Sequence, residues 1–264
     1  MSEATYRVHA LRYARRDARR HEHFVGGDPH DAPMPMDYFV WAMVNEDRVV
    51  ILDTGFTEPV AKKRRREWLR CPVDSLALLG IDPAAVEDVV ISHLHYDHVG
   101  TFHKFPKARF HLQEREMHYA CGHYMRYPKL RHSFEVEDVA GIIRMTHADR
   151  VVFHDGDAEL APGITLHAVG GHSMGLQCVR VSTARGKVVL ASDVTHFYEN
   201  MDTGRPYTTA FHLGAMLEGF DRLRALAPSA QHIVPGHDPE VMRRYPAVPG
   251  LEGIAVDLHR PPTG

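Results

Sequence analysis

The sequence of 264 residues predicts an α/β fold that delivers ligand-type side chains to one edge of a sheet. Three observations predict it. Apolar, strand-like runs recur along the chain and are interspersed with helical stretches. Five of those runs lead into a histidine or aspartate beside a turn: "VVIL" into Asp53, "VVIS" into His93, "LHAVGG" into His172, "VVLAS" into Asp193 and "HIVPG" into His237. The segment 92–101, "SHLHYDHVGT", crowds His93, His95, Asp97 and His98 into six positions. Strand ends in layered folds gather at one edge, and binding sites form in the crevice there.

The elements follow in order. "YFVWAMV" (38–44) and "RVVILDTGF" (48–56) are two strands around the polar turn "NED". "EPVAKKRRREWLR" (58–70) is helical, and "DSLALLG" (74–80) is a short helix closed by Gly80. "VEDVVISHLHYDH" is a strand running into the histidine cluster, and "ARFHLQ" (108–113) is another. Residues 114–149 are helical and irregular. Strands follow at 150–157, 163–173, 176–183 and 186–194, then a helix at 212–227 and a last strand at 230–238. The whole chain, 1–264, reads as a single domain. Segment 114–149 is a candidate lid over the pocket, with an outer helix pair as the plainer reading.

Composition excludes several classes. A hydrophobic content of 44% suffices for a sizeable core, and a net charge of −3 sets up no field for nucleic acid or membrane. The basic run "KKRRRE" (62–67) is flanked by acids and lacks interleaved aromatics, so it reads as a solvated helix face. Cys71, Cys121 and Cys178 are odd in number and far apart, which fits a reducing cytoplasm better than a disulfide framework. The first thirty residues lack an apolar signal core, and no run is long enough to span a membrane. The expected protein is cytoplasmic, a monomer or homodimer, acting on a small molecule.

The cluster points to metal. In an extended loop, residues i and i+2 point the same way, so His93 and His95 can grip one ion. Asp97 and His98 lie further on and can face a second. Imidazole and carboxylate suit zinc first, and also iron, manganese or nickel. Two ions need about seven ligands, and His172, Asp193 and His237 complete the set. The chain has 21 histidines, so chance matters. At this composition HxHxDH arises at random in roughly one such chain in a hundred.

With "HLHYDH", His172 in "GGHSMG", Asp193 in "LASD", His237 in "PGHD" and the early "ILDTG", the chain resembles metallo-β-lactamase-fold hydrolases from about residue 36 to 245. Within them it is most similar to the N-acyl homoserine lactonase-like group. The resemblance implies an αββα sandwich of two mixed β-sheets flanked by helices. It implies one metal on His93, His95 and His172, the other on Asp97, His98 and His237, and Asp193 bridging. Lactonases of that group usually carry a substrate-holding tyrosine three residues after the bridging aspartate. Here that position is His196, and the nearest tyrosine is Tyr198.

The expected reaction is opening of a lactone, an acyl homoserine lactone or another small one, by a metal-bridging hydroxide. Asp97 or Asp193 carries the proton, and His196 or Tyr198 donates to the oxyanion. No serine or cysteine nucleophile is needed, and Cys178 reads as core. Asp53 is expected to orient a ligand from behind. The alternatives are a thioester or other ester or amide hydrolase of the same fold, and, in another class, a metal-binding protein without turnover.

Overall fold

The structure is a computed structural model and describes residues 4–263. Its first sheet holds β1 (Arg7–Arg16), β2 (Met36–Val44), β3 (Val49–Leu52), β4 (Glu67–Trp68), β5 (Asp88–Val90), β6 (Arg109–Gln113) and β7 (Val151–His154). The second holds β8 (Ala158–Ala161), β9 (Ile164–Ala168), β10 (Gln177–Thr183), β11 (Gly186–Ser192) and β12 (Ile233–Pro235). The last strand, β13 (Ala255–Asp257), returns to the first sheet beside β1. The orders are β13-β1-β2-β3-β5-β6-β7, with β4 on β1, and β12-β11-β10-β9-β8. Both sheets are mixed: β3, β5, β6 and β7 run parallel, as do β11 and β12, and the remaining pairs are antiparallel.

Strand period 2 explains the layers. Phe39, Trp41 and Met43 of β2 point inward, where they meet Val50 and Leu52 and the facing Val179, Val181, Val188 and Leu190 of the second sheet. The alternate residues Tyr38, Val40, Ala42 and Ile51 point outward and pack under helical side chains such as Leu76 and Ile142. On the second sheet Cys178, Val189 and Ala191 face Phe220 and Leu223. The result is helix, sheet, sheet, helix. Cys178 is fully buried in the outer packing of that sheet, and burial pushes its thiol up to about 12, so it belongs to the core as expected.

The helices are α1 (Glu58–Arg64), α2 (Tyr96–Val99), α3 (Glu114–Cys121), α4 (Pro128–Arg131), α5 (Val136–His147), α6 (Tyr198–Thr203), α7 (Leu213–Leu226) and α8 (Glu240–Arg244). The expected helix over 58–70 is shorter than its pattern. It stops where Arg65 turns left-handed at φ 56°, and Glu67–Trp68 leave it to pair with β1. Strands β1, β8 and β13 and helices α2, α6 and α8 were not anticipated. β1 is the longest strand, but "RVHALRYARR" mixes charged and apolar residues without a β-branched run. No helix among the described residues is long and apolar enough to cross a membrane.

Candidate metal centre

Five strand ends converge on one edge. Asp53 follows β3, His93 and His95 follow β5, His172 follows β9, Asp193 follows β11 and His237 follows β12. All six residues are at most a few per cent exposed. The ligand-type atoms of His93, His95, His172 and Asp193 lie within 4.8 Å of one another, as do those of Asp97, His98 and His237. Asp193 stands between the sets. Its Oδ2 lies 3.1 Å from His172 Nε2, and its Oδ1 lies 3.0 Å from His237 Nε2 and 3.3 Å from His98 Nε2.

Those atoms are a fit test for a cation. His93 Nε2, His98 Nε2, His237 Nε2 and Asp193 Oδ1 are buried, yet none has a hydrogen-bond partner. Buried polar atoms are rarely left unpaired, because each costs about 1–3 kcal/mol. Lone pairs facing one another across 3.0–3.3 Å suit a shared positive ion. Burial, with neighbouring imidazoles, pushes His93 and His95 well below the ordinary range and keeps them in the neutral form that ligates. The donor set fits divalent metal.

The surroundings fix which atom of each ring faces inward. His237 Nδ1 bonds the Asp37 carbonyl at 3.0 Å, and His98 Nδ1 bonds Asp53 Oδ2 at 2.7 Å. Each bond leaves Nε2 as the lone-pair atom. Asp53 also accepts from Ser92 N at 2.7 Å and Ser92 Oγ at 2.8 Å. Its backbone is left-handed, with φ 62°, the tight turn of "DTG". Burial lowers the His98 pKa, but Asp193, Asp53 and Asp97 outweigh it and raise the value well above the ordinary range, and a bound cation would take the place of the proton among those carboxylates.

Sequence reasoning missed a second support. Glu116 on α3 is fully buried and accepts from Leu94 N (3.0 Å), Ser173 Oγ (2.7 Å) and Gly175 N (2.8 Å). One carboxylate thereby ties the loop of His93 and His95 to the loop of His172. Gly175 permits the approach, since a Cβ there would sit 2.2 Å from Glu116 N. In sequence the only signal was an acid three positions into a helix, which reads as surface.

The two candidate oxyanion donors separate. His196 lines the site cavity of about 330 Å³ and lies 3.1 Å from Asp193 Oδ2 through Nε2. Burial lowers its pKa to about 3, so the ring is neutral. It stacks on Tyr207 at 3.6 Å and 6°. Tyr198 points elsewhere, and its candidacy is corrected here. Its ring packs between the sheets with Tyr245 and under the Arg244 guanidinium at 3.8 Å, because its backbone N–H is held by Asp238 as α6 begins. The tyrosines that line the cavity are Tyr38, Tyr96 and Tyr207, the last in the irregular stretch after α6, which carries no periodic signal. Of segment 114–149, Phe134 stands against the His95 ring at 4.8 Å, while Tyr119 is buried under Phe211.

Comparison with known proteins shows the family. The model of the metallo-β-lactamase superfamily matches residues 34–237. The chain is 28% identical over 251 residues to the N-acyl homoserine lactonase AttM of Azorhizobium caulinodans, covering 85% of this chain and 89% of that one. It is 27% identical over 227 residues to an N-acyl homoserine lactonase of a Bacillus species, covering 79% and 84%. Among solved structures, a quorum-quenching N-acyl homoserine lactone hydrolase superposes with a TM-score of 0.77 at 21% identity, over 94% of this chain and 99% of that one. Strand ends, ligand spacing and the extent of the match together place the chain in the metallo-β-lactamase superfamily.

Proposed function

We propose that the protein is a metal-dependent hydrolase that opens a lactone, an acyl homoserine lactone or another small cyclic ester. The observation that carries it is the set of buried, unpartnered ring nitrogens and carboxylate oxygen converging on Asp193. His93, His95 and His172 would hold one divalent ion, and Asp97, His98 and His237 the other, with Asp193 shared. Zinc fits this donor set first, and iron, manganese or nickel are the alternatives. Such ions, when bound, supply a water of lowered pKa and a Lewis acid for the carbonyl.

The chain's own residues do the rest. Phe134 and Tyr207 flank the cluster and limit water. His196 borders the reacting position beside Asp193 and donates to the oxygen that gains charge as the carbonyl is attacked. Asp97, whose backbone carbonyl is held by the Tyr13 hydroxyl at 3.0 Å, is fixed where it can take a proton from the attacking water and pass it to the departing alkoxide. The similarity to lactonases favours a lactone over a thioester or amide.

The test is a pH-stat panel of short- and long-chain acyl homoserine lactones, simple γ- and δ-lactones and a thioester. Lactone turnover lost in His95→Ala and Asp193→Ala supports the reading. Thioester turnover without lactone turnover sinks it.

A further inference from the structure

The run "KKRRRE" is a solvated helix face only in part: Lys62, Lys63 and Arg65 are exposed, while Arg64 and Arg66 are half-buried. It forms one wall of the approach to the metal centre. The site cavity is lined by Arg16, Arg64 and Arg66 as well as by Asp97, Asp193 and His196. It opens into a larger groove of about 1450 Å³ that shares those three arginines. The groove carries six basic side chains, Arg16, Lys63, Arg64, Arg65, Arg66 and Arg131, against two acids, Glu135 and Glu137.

Half of that charge has a partner, and among the described residues Arg65 and Arg131 form no ion pair but are exposed. Arg16 pairs with Glu22, and Arg64 and Lys63 share Glu135 at 2.8 Å and 2.7 Å. Arg66 differs. Its Nε donates to the Tyr96 hydroxyl at 3.0 Å and its Nη1 to the Arg64 carbonyl at 2.7 Å, both neutral acceptors. Among the described residues no carboxylate forms an ion pair with it, although it is partly buried. The Asp97 carboxylate acts on it only through space, so the guanidinium keeps hydrogen-bond donors for an incoming anion.

The backbone is built to put it there. Arg65 takes the left-handed conformation that ends α1, a place where glycine is the usual residue. Arg66 N bonds back to the Ala61 carbonyl at 2.8 Å, and Glu67 joins β1. The turn therefore redirects Arg66 from the helix surface to the cavity. Tyr96, inside "HLHYDH" between two ligand-type residues, then fastens it to the metal loop. The Arg64 guanidinium stacks on the same ring at 3.9 Å.

We propose that the substrate carries an anionic oxygen group, a carboxylate or a phosphate, bound by Arg66 and flanked by Arg16 and Arg64, while its scissile ester lies against the His/Asp cluster. This rests on the metal-hydrolase reading above. A guanidinium presents a planar fork that matches either oxyanion, and the partly desolvated setting strengthens the pair.

The experiment is calorimetric and needs no turnover. Butyrate, glutarate and 3-phosphonopropionate are titrated into the metal-loaded protein. Each offers one carboxylate to the metals, and only the latter two offer a second anion. At least one dianion is expected to bind about tenfold more tightly than butyrate. The better of the two identifies the group. The preference should fall to about unity in Arg66→Gln, survive in part in Arg66→Lys, and shrink less in Arg131→Gln on the outer groove. Equal or absent binding of all three by the wild-type protein overturns the proposal, as does a preference unchanged in Arg66→Gln. Failure of the metal reading shows separately, as absence of bound metal or of lactone turnover.

Discussion

Asp53→Asn is the substitution through which the role of the rear support is read most cleanly. Asparagine keeps the volume and tolerates the left-handed backbone at φ 62°. It replaces one acceptor oxygen by an NH₂ group in a fully buried place. In one amide rotamer the NH₂ faces the Ser92 N–H, 2.7 Å from the present oxygen. That leaves two donors opposed, and an unsatisfied buried donor costs about 1–3 kcal/mol. In the other rotamer the NH₂ faces His98 Nδ1, now 2.7 Å from oxygen. The ring must then carry its proton on Nε2, the atom aimed at the second ion. Either way the deficit is about 2 kcal/mol, drawn from the fold or from the metal. Expected outcomes are a fall in metal affinity of roughly 10- to 100-fold, lower unfolding free energy, or a division between them. Competition with a chelator of known affinity measures the first, and urea denaturation of the metal-free protein the second. Wild-type values in both assays would refute the reasoning.

Three further outcomes follow from the same structure. Glu116→Ala leaves the donors of Leu94, Ser173 and Gly175 without an acceptor. It should cost about 3–5 kcal/mol in denaturant unfolding and reduce bound metal; a loss under 1 kcal/mol contradicts this. His196→Ala should lower kcat about 100-fold with KM little changed, whereas Tyr198→Phe should leave kcat/KM within about twofold; equal effects would contradict the separation of the two side chains. Asp138 has an unpartnered buried oxygen, and burial beside Glu135 and Glu137 raises its pKa from 3.8 to about 6. The folded state binds this proton more tightly, so the site favours folding at pH 4 and that contribution is lost as pH rises to 6. Asp138→Asn should therefore stabilise by about 1 kcal/mol at pH 7.5 and by little at pH 4; a stabilisation equal at both pH values would contradict the assignment.

What the sequence made legible was periodic or terminal. Inward Trp41 and outward Tyr38 follow from alternation, and the turns after β3, β5, β9, β11 and β12 announce their own ligand-type residues. Asp53 was placed behind the ligands by its position after "VVIL", and the structure puts it on His98. What stayed hidden depends on contacts remote in sequence. Glu116 meets Ser173 across 57 positions, and Arg66 reaches the cavity only because α1 ends a residue earlier. Tyr198 misled because proximity to Asp193 in sequence does not set direction, and the start of α6 turns the ring toward Arg244. β1 hid among arginines whose stems and charges are accommodated at its end, where Arg16 pairs with Glu22.

The central claim is that the histidine and aspartate cluster holds metal, and elemental analysis tests it most directly. The protein is stripped with chelator, reloaded with zinc, desalted and assayed for metal per chain beside Asp193→Ala. The account predicts about two ions per wild-type chain and a clear loss in the variant. A wild-type chain that retains no metal after reloading would contradict it, and "HLHYDH" would then not be a metal site.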